Sequence, residues 1–414
     1  MRIEKIRYTN YRGLKTGELS FEKDITLIIG KNGVGKTSVL SAVAIALSWI
    51  ISRLKSEKQN GQYIDIDSIS NGHLHSNIEY DFDIFESAIS IPNKSKQGIS
   101  KRFPLHIDPL KNYATQKRAD FEEQKFKVSV PTFVYYGVKR AVIDIPLRIR
   151  NKEYTLLDTY KDSLNGAANF RDFFTWFRNQ EDIEHELRAC NPILPPEHTR
   201  ELDTFRKALS IFMPGYKGIK VRRSPLRMEL WKDNEITYVN QLSDGEKTYL
   251  ALIGDLCHRL VLANPTLPDP LEGEGIVLID EIDLHLHPEW QGDFTTKLNK
   301  VFPNIQFIIT THSPHVINRV SAEKIRILNN GNIERPEYSY GMPISVVLED
   351  VMELSTQEPD DVRSIIENIQ QSLDALDIPN AQSYCGQLYN IAPEHPELTR
   401  FSKIIERLNR RNKL

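Results

Sequence analysis

Cysteine is scarce in this chain, with three in 414 residues. Cys190, Cys257 and Cys385 lie far apart and form no CxxC pair, so neither a disulfide framework nor a thiolate zinc site is suggested. That usage suits a reducing cytoplasm. Charge of one sign is also lacking: the formal net charge is -3, so no global field selects a nucleic acid or a membrane. Any nucleic-acid contact must come from a local patch. The opening residues, MRIEKIRYTN, hold no apolar core of a signal peptide, and the most apolar stretch, Val39 to Ile51, is too short to span a bilayer. Internal repeats, low-complexity segments and sustained heptads are missing as well, which excludes long coiled-coil arms. What remains is a chain expected in the cytoplasm without membrane contact, long enough for a large core and two or three domains.

What is present centres on Ile25 to Thr37, ITLIIGKNGVGKT. Branched apolar residues (Ile25, Leu27, Ile28, Ile29) predict a buried strand, and apolar spacing from Val39 to Ile51 predicts a helix. Between them Gly30-x-x-x-x-Gly35-Lys36-Thr37 has the form of a phosphate-cradling loop. Gly30, Gly33 and Gly35 let backbone N–H groups turn inward to an anion at a helix N-terminus. Lys36 is placed to reach β- and γ-phosphates, and Thr37 to hold Mg²⁺ through its hydroxyl. Asn32 and Ser38 belong to the same candidate ATP contact, since they lie in or beside the loop.

Before this loop, residues 2 to 8 alternate apolar and polar, as in a half-buried strand. Asn10-Tyr11-Arg12-Gly13-Leu14 turns the chain, and Leu19 with Phe21 suggests a partner strand. Residues 56 to 128 read as polar and irregular around a strand at Ile78 to Ile84. Basic stretches at Lys94 to Arg102 and Lys111 to Arg118 are expected to be solvated loops, a nucleic-acid role being the alternative. Val130 to Tyr136 predicts a second core strand, followed by Gly137-Val138-Lys139-Arg140. Asn165 to Leu187 reads as helical, and its aromatics Phe170, Phe173, Phe174, Trp176 and Phe177 are expected to be packing. Residues 218 to 240 predict a meander made locally basic by Lys217, Lys220, Arg222, Arg223 and Arg227, either a solvated face or a phosphate contact.

Three further motifs follow. In Gln241-Leu242-Ser243-Asp244-Gly245-Glu246-Lys247, Ser243 or Asp244 can cap a helix and Gly245 keeps the approach open, giving a second helix N-terminus suited to an anion; a capped surface helix is the alternative. Gly275-Ile276-Val277-Leu278-Ile279-Asp280-Glu281 predicts a strand buried on both faces that ends in two carboxylates. Asp280 can position Mg²⁺ and Glu281 can orient or deprotonate an attacking water. Gln306 to Thr311 is another buried strand, ending at His312-Ser313-Pro314. His285 and His287 beside nearby acids could suggest zinc, yet no third ligand of fitting spacing accompanies them.

The early N-Y-R-G turn and the loop resemble the ATPase heads of the RecF, SMC and OLD families. L-S-D-G-E-K resembles the ABC signature L-S-G-G-Q, with Asp244 and Glu246 as departures. The motif order, through I-V-L-I-D-E-I-D-L-H-L-H-P and T-T-H-S-P, resembles OLD-like ATPases, and the short insertion looks most like the ATPase subunit of Septu-type, retron-associated anti-phage systems. The resemblance implies an α/β P-loop NTPase of ABC type with a mixed or parallel core sheet, N-terminal antiparallel strands, a compact helical insertion and a C-terminal helical appendage. It implies Arg12 beside the nucleotide, where a surface turn residue is the alternative, and His312 as a γ-phosphate switch, where a capping histidine is the alternative. Lys139 or Arg140 falls in the Mg²⁺-sensing loop, which has no clear glutamine. The segment holding His285 and His287 becomes a dimer-interface loop, with Ser243, Gly245 and Glu246 contacting ATP held by a second subunit.

Domains are then expected at 1–140, 141–215, 216–342 and 343–414, the last holding three helical stripes and a basic tail (Lys403, Arg407, Arg410, Arg411, Lys413). The expected partners are a homodimer or larger homo-oligomer, a separate HNH-type nuclease, and DNA or a reverse-transcriptase and msDNA complex. OLD proteins carry a TOPRIM nuclease after the ATPase, and too little chain remains for one here. A RecF- or SMC-like DNA clamp without a nuclease is the alternative function. A transporter subunit is disfavoured by the N-Y-R-G turn and the lack of a membrane-coupling segment.

Overall fold

Five consecutive buried residues, Ile25–Ile29, form a strand with protein on both faces. The computed structural model describes residues 1–95, 98–99, 103–124, 127–138, 145, 152–190, 199–232, 235–329, 331–352 and 359–411. Lys139, Arg140, Lys413, the Asp233-Asn234 turn and part of the Lys94 to Arg102 stretch lie outside the described residues. The chain separates into two compact units, Met1–Val347 and Leu348–Leu414.

The first unit opens with the hairpin β1 (Ile3–Tyr11) and β2 (Leu14–Ser20), then β3 (Ile25–Ile29) and α1 (Lys36–Lys55). Next come β4 (Asn77–Phe82), β5 (Ile89–Pro92), the ribbon β6 (Lys94–Ser95) with β7 (Gly98–Ile99), α2 (Asp108–Glu123) and β8 (Thr132–Tyr136). Helices α3 (Phe170–Cys190) and α4 (Arg200–Phe212) lead into the meander β9 (Tyr216–Arg223), β10 (Leu226–Lys232) and β11 (Glu235–Tyr238). The unit continues through α5 (Asp244–Ala263), β12 (Gly275–Ile279), α6 (Pro288–Val301), β13 (Ile305–Thr310), α7 (Pro314–Ile317), β14 (Ile325–Asn329), β15 (Asn332–Glu334) and α8 (Ile344–Val346).

The core sheet runs β15-β14-β3-β13-β12-β8, parallel except for β15. The unbroken apolar runs of β3, β12 and β13 follow from burial on both faces. Parallel pairing also brings their carboxyl ends to one edge, with Thr310 beside Ile28 and Ile309 beside Ile279. A second, antiparallel sheet runs β2-β1-β4-β5. Helix α1 is buried between the two sheets: Ile6 and Tyr8 of β1, Val43 and Leu47 of α1, and Leu278 and Ile308 of the core sheet share one apolar cluster. Tyr80 of β4 pins it by donating to the Ala42 carbonyl at 2.8 Å.

Two expectations need correction. Helix α1 runs for 20 residues and is long and apolar enough to cross a membrane by length and composition, whereas the apolar stretch in the sequence looked too short. Its apolar residues face two sheets instead, and most are buried. Lys111 to Arg118 lie in helix α2 rather than a loop, because Leu110, Ala114 and Phe121 give that segment a buried face. Its cations pair locally, Lys111 with Asp108 at 3.3 Å and Arg118 with Glu122 at 3.0 Å.

The aromatic residues of α3 are packing: Phe173 meets Phe205 of α4 at 4.9 Å between centroids, and Trp176 meets His258 of α5 at 4.9 Å. Helix α5 is further fixed by Asp255, which accepts from Tyr136 of β8 at 2.7 Å and from Arg259 at 2.8 Å. In the second unit α9 (Asp360–Asp374), α10 (Ile378–Ile391) and α11 (Pro396–Arg411) bury the expected stripes. Val362, Ile366, Ile369, Leu388 and Phe401 share one cluster, and Ile378, Ala381 and Ile405 another. Pro379 sits in the first turn of α10, where its missing N–H costs nothing.

Candidate active site

The loop after β3 is shaped by its glycines. Gly30 has φ 146° and a Cβ there would lie 2.4 Å from the Leu328 carbonyl oxygen, so only glycine fits. Gly35, with φ 107°, precedes α1 as its N-cap, and no side chain caps that helix. The first amides of α1 therefore lack a side-chain acceptor, which is what an anion-binding helix start requires. Lys36 is buried, and its ammonium donates to the carbonyls of Gly30 at 2.9 Å and Lys31 at 3.0 Å. Burial lowers its pKa, opposed by the charges of Glu281, Asp280 and Asp283. Asn32 and Thr37 are exposed on the loop and Ser38 is half-buried.

At the end of β12, Asp280 is 1% exposed. One carboxylate oxygen accepts from the Thr37 hydroxyl at 2.9 Å and the other from the Thr310 hydroxyl at 2.6 Å. The loop threonine and the acid that could share a Mg²⁺ ion are thus already in contact, and the donor set of hydroxyl and carboxylate oxygens fits that cation. The Thr310 oxygen in turn accepts from the Glu281 backbone N–H at 2.7 Å, and Glu281 takes φ 46°. Thr310, which the sequence reading passed over, therefore grips both acids. Its signal was a hydroxyl inside an otherwise apolar buried strand.

His312 follows that strand. Asp283 accepts from the Thr311 hydroxyl at 2.5 Å and from the His312 backbone N–H at 3.2 Å. The helix after it is capped by Ser313, not by His312, and Ser313 also donates to Gln291 of α6 at 2.7 Å. His312 Nε2 is buried without a hydrogen-bond partner. Burial and the neighbouring Lys36 lower the imidazole pKa, against the acids Asp283, Glu281 and Asp280. A neutral ring with an unsatisfied nitrogen, electrostatically coupled to Lys36, suits a ligand oxygen or hydroxyl. Arg12, with φ 51° in the β1–β2 turn, reaches Ser41 of α1 at 3.1 Å and is exposed. It stands one turn behind Thr37, whose carbonyl accepts from Ser41 at 2.9 Å.

The start of α5 is built differently. Ser243 is the N-cap, and Ser243 and Glu246 form a reciprocal capping box. Glu246, expected among the nucleotide contacts, has its carboxylate engaged within the chain: it accepts from the Ser243 N–H and hydroxyl at 2.9 Å each, from Lys232 at 3.2 Å, and from the Tyr216 hydroxyl. Burial would raise its pKa, but these donors hold it below the usual range. Gly245 packs so closely that a Cβ would lie 2.3 Å from the His285 carbonyl oxygen. Ser243 and Gly245 line a cavity of about 750 Å³ with His285 to Trp290 and with no residue of the Gly30–Thr37 loop. His287 caps α6 by accepting from the Glu289 N–H at 3.4 Å. Among the described residues no group of three His, Cys, Asp or Glu is arranged to hold a metal ion, which gives the zinc reading no support.

Comparison with known proteins adds a family and relatives. Residues 25–318 match the family described as "AAA domain, putative AbiEii toxin, Type IV TA system". The chain is 32% identical to "Retron Ec83 probable ATPase" of Escherichia coli over 87% of this chain and 78% of that one. It is 24% identical to "Septu protein PtuA" of Bacillus thuringiensis, over 98% of this chain and 99% of the other. Among solved structures it is similar to an SMC head bound to the C-winged helix domain of ScpA, with TM-score 0.45 and 16% identity over 81% of this chain and 97% of that one.

Proposed function

The chain belongs to this AAA family of ABC-type P-loop ATPases with retron and Septu relatives, and from that premise we propose an ATP-driven switch whose two copies share each nucleotide site. One observation supports it above the others. Lys36 starts α1 at the end of the loop after β3, while Asp280, Glu281 and His312 follow β12 and β13 at the same carboxyl edge of the parallel sheet, where Thr37 and Thr310 hold Asp280. Ser243 and Gly245 line a separate cavity. This separation supports the reading of two half-sites in one chain. Lys36 and the α1 amides bind the phosphates of ATP. Thr37 and Asp280 would hold Mg²⁺, which when bound would supply charge neutralisation for the phosphates. Glu281 orients the attacking water and accepts its proton, and His312 donates to the γ-phosphate. Ser243 and Gly245 of a second copy close the site from the other side. The work of the residues is positioning and charge stabilisation.

The nucleotide state gates a separate HNH-type nuclease in defence against invading DNA, as the motif resemblance to Septu-type systems implies, with a reverse-transcriptase and msDNA complex as a further partner. The test measures ATP turnover and mass in solution for the wild type and Glu281→Gln. The variant should bind ATP, stay dimeric with it and fail to hydrolyse it. Intact turnover would remove Glu281 as the base, and an ATP-loaded monomer would remove the shared site.

A further inference from the structure

The basic meander, left open between a solvated face and a phosphate contact, has an organisation that a solvated face does not require. Side chains alternate across β10, so Met228 and Leu230 are buried while Arg227, Glu229 and Trp231 point the other way. Cross-strand pairing adds Arg222, Lys220 and Lys217 from β9, and Tyr238 and Ile236 from β11, to that second face. The face therefore carries four cations and two aromatic rings, and they interleave. Lys220 lies over the Trp231 ring at 4.4 Å, and the Arg227 guanidinium over the Tyr238 ring at 3.7 Å.

One acid sits among them. Glu229 is 0% exposed, with Arg222 at 2.7 Å and Arg227 at 3.4 Å from the same oxygen. These are close ion pairs rather than aligned hydrogen bonds, since neither carboxylate oxygen meets hydrogen-bond geometry. The buried carboxylate anchors two guanidinium groups from adjacent strands. Lys217 and Lys220 are exposed and enter no ion pair among the described residues. Beside them lies a cavity of about 770 Å³, lined by Trp231, Lys217, Lys220, Arg188, Arg206 and Glu184 among others. Its acids are already matched, Glu184 by Arg206 at 3.0 Å and Glu181 by Arg223 at 2.7 Å.

We propose that this face binds single-stranded nucleic acid, with Lys217, Lys220 and Arg222 on the phosphates and with Trp231, Tyr238 and the Arg227 guanidinium as stacking planes for bases. Interleaved cations and half-exposed rings match the chemistry of a sequence-tolerant strand groove. A duplex, with its bases stacked inside, cannot use the rings. The position of the face gives occupancy a route to the ATPase. Tyr216 begins β9 and Lys232 ends β10, they pair directly across the ladder, and both contact Glu246. Glu246 holds the Ser243 cap. A strand bound on the meander bears on the helix start that closes a neighbour's nucleotide site. Only this link rests on the ATPase reading.

The binding test uses the full chain without ATP and a fluorescent oligonucleotide of about 20 nucleotides, as single-stranded DNA, as RNA of the same sequence, and as a DNA duplex, read by anisotropy. Single strands should bind more tightly than duplex, and the preference between DNA and RNA tells which strand the face takes. Trp231→Ala should weaken binding roughly tenfold. Lys217→Glu with Lys220→Glu should weaken it at least as much and lower the salt slope by about 1.4, with circular dichroism unchanged. Binding unaffected by the charge-reversed pair, or equal affinity for duplex, would overturn the site. In the link test the single strand changes ATP turnover of the wild type, while Tyr216→Phe still binds the strand but no longer responds. Bound strand without any change in wild-type turnover would overturn the link and leave the binding result standing.

Discussion

The two helix starts offered to an anion, at α1 and at α5, are built in opposite ways. Helix α1 has a glycine N-cap and no side-chain cap, with a buried lysine turned onto its own loop carbonyls. Helix α5 has a complete capping box, its acid further held by Lys232 and Tyr216. The difference teaches how work is divided. The uncapped start leaves backbone donors for a ligand, while the capped start is stable without one and presents the Ser243 hydroxyl on an exposed rim. On the proposed shared site, a surface that waits for a second chain has to be satisfied on its own. A pocket completed by ligand can leave donors open.

The largest expected effect breaks the first side of this comparison. Lys36→Ala should lower ATP turnover by about a thousandfold or more and weaken ATP binding, measured by phosphate release and by titration with a fluorescent ATP analogue. Ser243→Arg breaks the second side: it should bind ATP with wild-type affinity and fail to hydrolyse it, and normal turnover would show that α5 takes no part. Thr310→Val sharpens the first side. Removing the hydroxyl between Asp280 and the Glu281 N–H should cost about ten- to a hundredfold in turnover, with a raised Mg²⁺ requirement as the readout that a packing defect alone would not give.

The smallest effect concerns the buried end of α5. His258 packs against Trp176 and Tyr154, and burial lowers its pKa to about 3. The unfolded chain takes up a proton near the ordinary histidine value and the folded chain does not. The neutral ring therefore costs no stability above about pH 6.5, and stability falls as pH drops towards 3, by about a few kcal/mol in all. Thermal melts between pH 7 and 4 should show that slope, and His258→Phe should flatten it.

Much of the fold was legible because short runs of branched apolar residues bounded by turn signals fit strands buried on both faces. Strands Ile25–Ile29 and Gly275–Ile279 fall where their patterns placed them, and the strand expected at Gln306 to Thr311 is found at Ile305–Thr310. The three C-terminal stripes were legible for another reason: helical spacing of apolar residues marks a buried face. The Lys111 to Arg118 helix was not, because only Leu110, Ala114 and Phe121 mark its buried face among many charges. At the candidate site, motif spacing named the acids and the loop but not their holders. Thr310 and Asp283 act through contacts between strand ends far apart in sequence. Glu246 has a local role that the motif did not name: a carboxylate three residues after a serine N-cap completes a capping box at the helix start.

The shared site is tested most directly by mixing two inactive chains. Lys36→Ala loses the α1 half and Ser243→Arg the α5 half, so a mixed dimer contains one site with both halves intact. On random exchange, turnover should return to about a quarter of the wild-type rate. A mixture no more active than either variant alone, with mixed dimers demonstrated by mass, would contradict the claim that two chains build each site.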